Sequence, residues 1–285
     1  MTEGGLAIVL GLFSALTLAV ANVTVKRGGD ILAGRAVLSS AAAIIVLPFA
    51  FIVPLPNTQV WGALALSLPA HLAYQGCLVR AMHRGDLSLV FPVMRGLAPL
   101  FVAGAAFLIL DQSLSWRSGL GLVVATLAVI AFATPERVSL EAGRANRTAL
   151  IWAALTAVGV AMYTTMDARG MRLSPDPFTF IVWLFLLDWI GLTAVAAATR
   201  GPALISDFRR NARYGVTAGA LSVLSFGSAL YALRLIDAVM VSALRETAVV
   251  IGAFLGWVFL KESFGVRRTI LAILLAGGLI LMQTG

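Results

Sequence analysis

The sequence predicts an all-α membrane protein in which ten transmembrane helices form two inverted five-helix repeats around a central cavity. Three observations lead to this fold class. Sixty per cent of the 285 residues are hydrophobic and only 12% are charged, whereas soluble domains have about 45–50% apolar and about 25% charged residues. Turn residues and charges cut the chain into ten apolar segments, each close to the roughly 20 residues that cross a bilayer. The first five segments are also related in sequence to the last five.

Short polar joints separate the ten segments, and none of them is long enough to hold a soluble domain. In chain order, the predicted spans are 5–24, 31–53, 59–80, 87–110, 116–134, 148–167, 177–199, 213–233, 237–260 and 267–284. No positively charged region precedes the first span, so we interpret it as a retained helix and not as a signal peptide. The longest charged joint, 135–147, connects two domains that we place at 1–134 and 148–285.

An internal repeat relates the two halves. A shift of 150 residues superposes three arginine pairs without a gap: Arg84 and Arg234, Arg95 and Arg245, and Arg117 and Arg267. The same shift places LDQS at 110–113 on LKES at 260–263. Because each half has an odd number of spans, the halves must have opposite orientations. Inverted repeats of this kind are typical of secondary transporters, which bind their substrate near the midplane between the halves.

Three stretches carry a resemblance to a known family: ALTLAVANVTVKRG in the first span, RGDLSLVFPVMRGLAPLFVAGAAFLILDQSLSW across the fourth, and DAVMVSALRETAVVIGAFLGWVFLKESFGVRRTILAILLAGGLILM at the end. With them the chain resembles the drug/metabolite transporter superfamily, in its EamA-type exporter branch. The resemblance implies a multi-pass protein of the cell inner (plasma) membrane, similar in organisation to exporters of aromatic and neutral amino acids. One departure is LDQS, where the family commonly has a glutamate.

Two indications of membrane orientation disagree. Most Lys and Arg residues of the joints lie in the first, third, fifth, seventh and ninth. The positive-inside rule then places both termini outside, whereas the resemblance implies that both termini are cytoplasmic. The sequence therefore leaves the orientation open, and with it the choice between export and import.

Five ionisable side chains lie well inside predicted spans, where a charge costs roughly 2.5–3.5 kcal/mol on insertion scales. They are His71, Arg95, Asp188, Arg245 and Glu246. We expect them to face a wet cavity or one another rather than lipid. Arg95 also lies between Pro92 and Pro99, each of which removes a backbone donor from the fourth span.

Arg95 and Arg245 occupy equivalent positions in the fourth and ninth spans. One hypothesis is that at least one of the guanidinium groups binds a substrate carboxylate in a bidentate pair. The alternative is an internal ion pair with Glu246 or Asp188 that locks the halves together and that a substrate carboxylate could displace. Asp188 and Glu246 are also candidates for proton or cation coupling.

Polar and aromatic residues complete a candidate substrate pocket. His71, Tyr74 and Gln75 recur at helical spacing on one side of the third span, which suits a wall that recognises an amine or an aromatic ring. Further candidates for substrate contact are Phe91, Tyr163, Trp183 and Phe226. The alternative for each of these residues is an ordinary packing or hydrogen-bonding role in the helix bundle.

Two glycine pairs, Gly215 with Gly219 and Gly252 with Gly256, have the spacing that lets helices approach closely. Close packing within one protomer is favoured over dimerisation, so we expect the protein to function as a monomer.

The sequence contains no Walker A motif, zinc-ligand pattern, nucleophile elbow or dinucleotide fingerprint. We therefore expect no cofactor, no metal and no enzymatic activity. The arginines behind the net charge of +8 lie mostly at span ends, where they face lipid headgroups, so we expect no nucleic-acid partner. The remaining class is a secondary transporter that moves a small-molecule substrate across the lipid bilayer by alternating access.

Amino acids, especially neutral and aromatic ones, and related small metabolites rank first as substrates. Cationic and anionic groups beside aromatic rings suit a zwitterion with an apolar side chain. Hydrophobic cations or drugs are the alternative, because Asp188 and Glu246 could bind them alone. A membrane-embedded enzyme that acts on lipid and a carrier of lipid-linked sugars rank lower.

Overall fold

A computed structural model of the chain describes residues 2–25, 31–84, 87–133, 143–260 and 266–284. Within these ranges the chain forms ten α-helices and one short 3₁₀-helix, without strands. The helices are α1 (Glu3–Val25), α2 (Ile31–Val46), the 3₁₀-helix Leu47–Phe51, α3 (Thr58–Arg84), α4 (Leu87–Leu110), α5 (Trp116–Ala133), α6 (Gly143–Leu173), α7 (Pro177–Arg200), α8 (Ala203–Leu235), α9 (Ala238–Leu260) and α10 (Val266–Thr284). The predicted all-α fold class is confirmed.

Seven segments of the described chain are helical, long and apolar enough to cross a membrane. They belong to α1, to α2 with the 3₁₀-helix that continues it, to α3, α4, α6, α7 and α8. Two more helices, α5 and α10, contain shorter apolar runs at Trp116–Ala131 and Thr269–Thr284. The protein is thus a multi-pass membrane protein, and the predicted number of ten crossings stays a prediction.

Two helices of the second half extend beyond the spans that hydropathy predicts. α6 continues past Asp167 to Leu173, and α8 begins at Ala203, well before the predicted start at 213. Both extensions carry charged residues but no proline, so no residue in them interrupts the helical hydrogen bonds. The helices are separated where interruption does occur, at the turn 174–176, which contains Pro175, and at Gly201, whose φ is +54°.

The sequence repeat is also a repeat of structure. The 150-residue shift that aligns the arginines carries α4 onto α9 and α5 onto α10, with helix starts that agree to within one residue. The remaining helices follow in the same order, so that α1, α2 and α3 correspond to α6, α7 and α8. The predicted boundary joint, 135–147, falls partly outside the described residues, and α6 already begins at Gly143. The assignment of domains at 1–134 and 148–285 stays a prediction.

Two compact units make up the chain, and each unit takes helices from both halves of the sequence. Unit 1 contains Met1–Leu72 and Met166–Leu235, and unit 2 contains Ala73–Thr165 and Ile236–Gly285. α3 and α6 therefore each contribute one part to unit 1 and the other part to unit 2.

In unit 1, α8 packs against α1 and α2, and α2 also packs against α7. Gly215 and Gly219 make the contact between α8 and α2 possible. A Cβ atom at Gly215 would overlap the side chain of Val37, and one at Gly219 would lie 2.8 Å from the Cβ of Ala41. This glycine pair serves packing within the protomer. The side-chain surroundings of Gly252 and Gly256 lie outside the described residues.

In unit 2, α5 and α10 form an antiparallel pair. At one end the hydroxyl of Ser118 donates to the carbonyl oxygen of Met282 at 3.0 Å. At the other end Nη2 of Arg267 donates to the carbonyl oxygen of Ala131 at 2.7 Å. Because α5 and α10 are equivalent helices of the two repeats, their opposite directions within one unit are those of inverted repeats.

Candidate functional site

The described helices hold two groups of buried and half-buried polar and charged side chains, one in each unit. The first, in unit 1, comprises Ser67, His71, Asp167 and Asp188 and is called the His71 cluster below. The second, in unit 2, comprises Arg95, Arg245 and Glu246 and is called the Arg95 cluster. All five ionisable residues predicted inside spans lie in these two clusters, and Asp167 is an addition.

In the His71 cluster, the imidazole ring lies between two carboxylates. Its Nε2 atom is 3.0 Å from Oδ2 of Asp167, on α6. Its Nδ1 atom is 3.9 Å from Oδ1 of Asp188, on α7. The second oxygen of Asp167 accepts a hydrogen bond from the hydroxyl of Ser67, one turn before His71 on α3. Three helices of unit 1 thus meet at one histidine.

Burial within this cluster is graded. The exposed fraction of the side chain is zero for Asp167, 8% for His71 and 22% for Asp188. The guanidinium of Arg35, on α2, attracts the Asp188 carboxylate electrostatically. The ring of Phe226, on α8, meets the imidazole edge to face with centroids 5.5 Å apart. Asp188 is therefore the member of the cluster that a solute or solvent reaches first.

Asp167 is the candidate site residue that the sequence analysis missed, because the predicted sixth span ended at 167 and the next residues were read as a polar joint. In the structure α6 continues to Leu173. Its end is fixed by Arg234, whose Nη1 donates to the carbonyl oxygens of Met171 and Ser174 at 3.0 and 2.6 Å. In the sequence, Ser67 and His71 lie one turn apart on the same side of α3. These two polar side chains were the available signal for an acid on the facing helix.

In the Arg95 cluster, a guanidinium and a carboxylate form a buried ion pair. Nε of Arg95, on α4, is 3.4 Å from Oε2 of Glu246, on α9, and their side chains are 11% and 4% exposed. Nη2 of Arg95 donates to the carbonyl oxygen of Arg245 at 3.3 Å. The charge of Arg245 also acts on the Glu246 carboxylate. Since Arg95 and Arg245 are repeat equivalents, their contact places them at the pseudo-two-fold axis that relates α4 to α9.

Aromatic candidates fall into separate pairs within the two units. In unit 2, Tyr74 meets Tyr163 with centroids 5.1 Å apart. In unit 1, Trp183 meets Trp61 at 5.3 Å, and its buried indole N–H has no hydrogen-bond partner among the described residues. Gln75 is buried. The side chain of Phe91 lies outside the described residues. Whether these residues contact a substrate stays a prediction.

The chemistry open to the two clusters is charge binding and proton binding. The Ser67 hydroxyl donates to Asp167 and not to His71, so the cluster does not hold the serine–histidine pair of a nucleophilic hydrolase. No group of three or more His, Cys, Asp or Glu side chains in the described part of the chain has the geometry of a metal site. The contacts that the clusters do make are ion pairs and hydrogen bonds between helices.

Comparisons with known proteins agree with this architecture. The EamA-like transporter family matches the chain twice, over residues 4–134 and 147–284. A solved structure, described only as the crystal structure of a protein, has the same fold with a TM-score of 0.77. It is 16% identical in sequence, and the match covers 99% of this chain and 95% of that one. Curated proteins give no significant match. The chain therefore belongs to the EamA-like transporter family, a family of membrane transporters within the drug/metabolite transporter superfamily.

Proposed function

We propose that this transporter exports amino acids, especially neutral and aromatic ones, and related small metabolites from the cell by alternating access. In this proposal Arg95 binds the carboxylate of the solute, and the protein works as a monomer in the inner (plasma) membrane. The observation that carries the proposal is the ion pair between Arg95 and Glu246 at the axis that relates α4 to α9. There a carboxylate already occupies a position at which the acid group of a solute would bind.

The charges around this pair favour an additional anion. Glu246 is the one buried carboxylate among the described residues of unit 2, whereas Arg95 and Arg245 both contribute positive charge. Two guanidinium groups therefore share one buried carboxylate of the described part of unit 2 inside an apolar bundle, where any excess of positive charge is costly. A solute carboxylate would balance it.

The distances support exchange rather than a permanent lock. Charge-assisted N–H···O hydrogen bonds are usually about 2.7–2.9 Å long, and the contact between Arg95 and Glu246 is 3.4 Å. A carboxylate that forms two short bonds to the guanidinium would therefore compete well with Glu246. Displacement of Glu246 by the solute would also give the transporter two states, one with the internal pair and one with the solute pair.

Hydrophobic cations are the second candidate class, and one observation favours them. The side chain of Asp188 is 22% exposed beside the sealed Asp167 carboxylate, so unit 1 offers negative charge to a cationic solute. Transport of cations would depend on Asp188 and not on Arg95, which allows the two candidates to be separated.

The test uses purified protein in lipid vesicles that are loaded with unlabelled phenylalanine, with uptake of labelled phenylalanine as the readout. We expect the R95A variant to exchange phenylalanine at least about 30-fold more slowly, because loss of one partner of a desolvated charge pair costs about 2–5 kcal/mol. The control is R117A, which removes the repeat-related but exposed arginine beside Trp116 and should exchange at the normal rate.

A second variant covers the possibility that R95A fails to fold. The R95M/E246L double variant removes both charges together and should fold, but it should not exchange phenylalanine. Normal phenylalanine exchange by either variant would refute the role of Arg95. Uptake of labelled tetraphenylphosphonium that requires Asp188 but not Arg95 would favour the cation transporter.

A further inference from the structure

We propose that the His71 cluster holds one exchangeable proton, between Nδ1 of His71 and Oδ1 of Asp188, and that release of this proton is coupled to solute movement. The proton site stands on the geometry of unit 1 alone. Only its coupling to a solute rests on the proposed function.

The two nitrogens of the imidazole ring have different partners. Nε2 lies within hydrogen-bond distance of Asp167, a fully buried carboxylate that also accepts from Ser67. A carboxylate accepts and does not donate, so Nε2 keeps its proton in both charge states of the ring. Nδ1 faces Asp188 at 3.9 Å. The proton that the ring can lose is therefore the one on Nδ1.

The charges around the ring and its two carboxylates favour the charged form of the ring. Asp167 on α6 and Asp188 on α7 are negative, Arg35 on α2 is positive, and Phe226 on α8 is uncharged. With a charged imidazole, these groups contain two positive and two negative charges. Loss of the Nδ1 proton leaves one uncompensated negative charge within apolar helices, which is unfavourable. Nδ1 of His71 therefore keeps its proton until the surroundings of the cluster change.

The graded burial supplies a path for this proton. When the ring and the carboxylate close from 3.9 Å to hydrogen-bond distance, or through one bridging water, Nδ1–H of the imidazolium transfers its proton to Oδ1 of Asp188, which gives a neutral ring and a neutral carboxylic acid. Asp188, the most exposed member of the cluster, then releases the proton to solvent and becomes a carboxylate. After release, the lone pair of Nδ1 faces a carboxylate oxygen. The attraction between α3 and α7 is lost, so the charge state of His71 changes the contact between these two helices.

An equivalent helix crossing in the same unit argues against a purely structural role. The repeat relates the crossing of α3 and α6 to the crossing of α1 and α8, at which Asp167 is replaced by Thr17 and His71 by Leu221. The hydroxyl of Thr17 donates to carbonyl oxygens of its own helix, at Phe13 and Ser14. At these equivalent positions the crossing of α1 and α8 has no ionisable side chain, so helices of this fold can cross there without the charged pair.

The first experiment measures the proton site without transport. The chain has two histidines, and the second, His83, is exposed at the end of α3. In H83Q protein labelled with ¹⁵N-histidine, His71 gives the only side-chain histidine signals. We expect the neutral ring to carry its proton on Nε2, and the charged ring to form on acidification. With D188N added, the ring should become charged only at a proton concentration at least about tenfold higher, because one facing carboxylate is removed.

The matched control is D111N, which neutralises an exposed aspartate. Its φ of +53° is one that asparagine also adopts readily. This control should leave the His71 titration unchanged. A neutral ring protonated on Nδ1, or a D188N protein that titrates like D111N, would overturn the proton site. If D188N does not fold, H71Q replaces it in the second experiment below, since the amide can still donate to Asp167.

The second experiment measures coupling in the phenylalanine vesicles. With a pH gradient, the wild type and D111N should accumulate labelled phenylalanine against its concentration gradient. D188N should still exchange phenylalanine at equal pH on both sides, but it should lose the accumulation. Accumulation by D188N would refute the coupling. Absence of phenylalanine exchange by the wild type would refute the proposed function and the coupling together, and the spectrum would still decide the proton site.

Discussion

The Arg95 cluster and the His71 cluster are both buried and charged, but they relate differently to the internal repeat. Arg95 and Arg245 are equivalent residues, and they meet at the axis between α4 and α9. The residues that correspond to His71 and Asp167 are Leu221 and Thr17, which carry no charge. One cluster is thus built from the symmetry of the fold, whereas the other is present in only one of two equivalent crossings.

This difference suggests a division of roles. If alternating access exchanges the conformations of the two repeats, a residue on the axis keeps equivalent surroundings in both states. That property suits a solute site, which must be reached from either side. A cluster that occurs once has different surroundings in the two states. That property suits a coupling site, where the free energy of protonation must depend on the state.

Glu246 also departs from the symmetry, and packing explains why it is single. Its repeat equivalent is Gly96, where a Cβ atom would overlap the side chain of Ile130. A second glutamate at that place would need the Ile130 side chain or α5 to move. The axis therefore holds two arginines but one acid, in keeping with the close packing of α4 against α5 at Gly96.

The largest effect is expected when the Arg95 cluster is disrupted. The E246L variant leaves two guanidinium groups without the buried carboxylate, and removal of one partner of a buried pair destabilises proteins by about 3–5 kcal/mol. R95M/E246L removes the pair and should come within about 1 kcal/mol of the wild type. Unfolding by SDS in mixed micelles, followed by circular dichroism, measures both variants. Equal destabilisation of the two would show that the ion pair has no energetic role.

A smaller effect is expected when the His71 cluster is converted into its equivalent crossing. The H71L/D167T variant copies Leu221 and Thr17, and it should be within about 1 kcal/mol of the wild type, because both partners of a hydrogen bond are removed together. D167A alone should lose about 1–3 kcal/mol, because His71 and Ser67 lose their acceptor.

These two variants decide between structure and coupling as the purpose of the cluster. Measured in the same micelles, H71L/D167T should be stable, and in vesicles it should lose accumulation driven by a pH gradient. A double variant less stable than D167A would mean that the charges hold the crossing together, and that the coupling role is wrong.

The sequence alone led to much of the fold and to the Arg95 cluster. Composition predicted the all-α class, and the arginine register predicted the equivalence of α4 and α9. The sequence did not reveal Asp167, because a hydropathy criterion ends a span at the first charges. The helix itself ends only where proline interrupts its hydrogen bonds, after Leu173. A criterion based on helix-breaking residues would have kept Asp167 within α6.

The partners of the aromatic residues could not be predicted from spacing along one helix. Helical periodicity places Tyr74 on the same side of α3 as His71, but it does not identify the facing helix. In the structure Tyr74 packs against α6, where a Cβ atom at Gly159 would lie 2.9 Å from the Tyr74 Cα. The close approach that brings Tyr163 to Tyr74 depends on this glycine, and such a contact follows from tertiary packing.

The smallest expected effect concerns the crossing of α1 and α8, which serves as the uncharged reference for the His71 cluster. There Ser225 donates from its hydroxyl to the carbonyl oxygen of Ser14 at 2.8 Å, and both residues are buried. Hydrogen bonds between membrane helices contribute about 0.6 kcal/mol on average, so S225A should lose about that much in the SDS titration. Phenylalanine exchange and accumulation driven by a pH gradient should both remain normal, because no exchangeable proton is involved. Loss of accumulation in S225A, with stability kept, would mean that the uncharged crossing also takes part in coupling, and the contrast between the two crossings would then no longer mark His71 as the proton site.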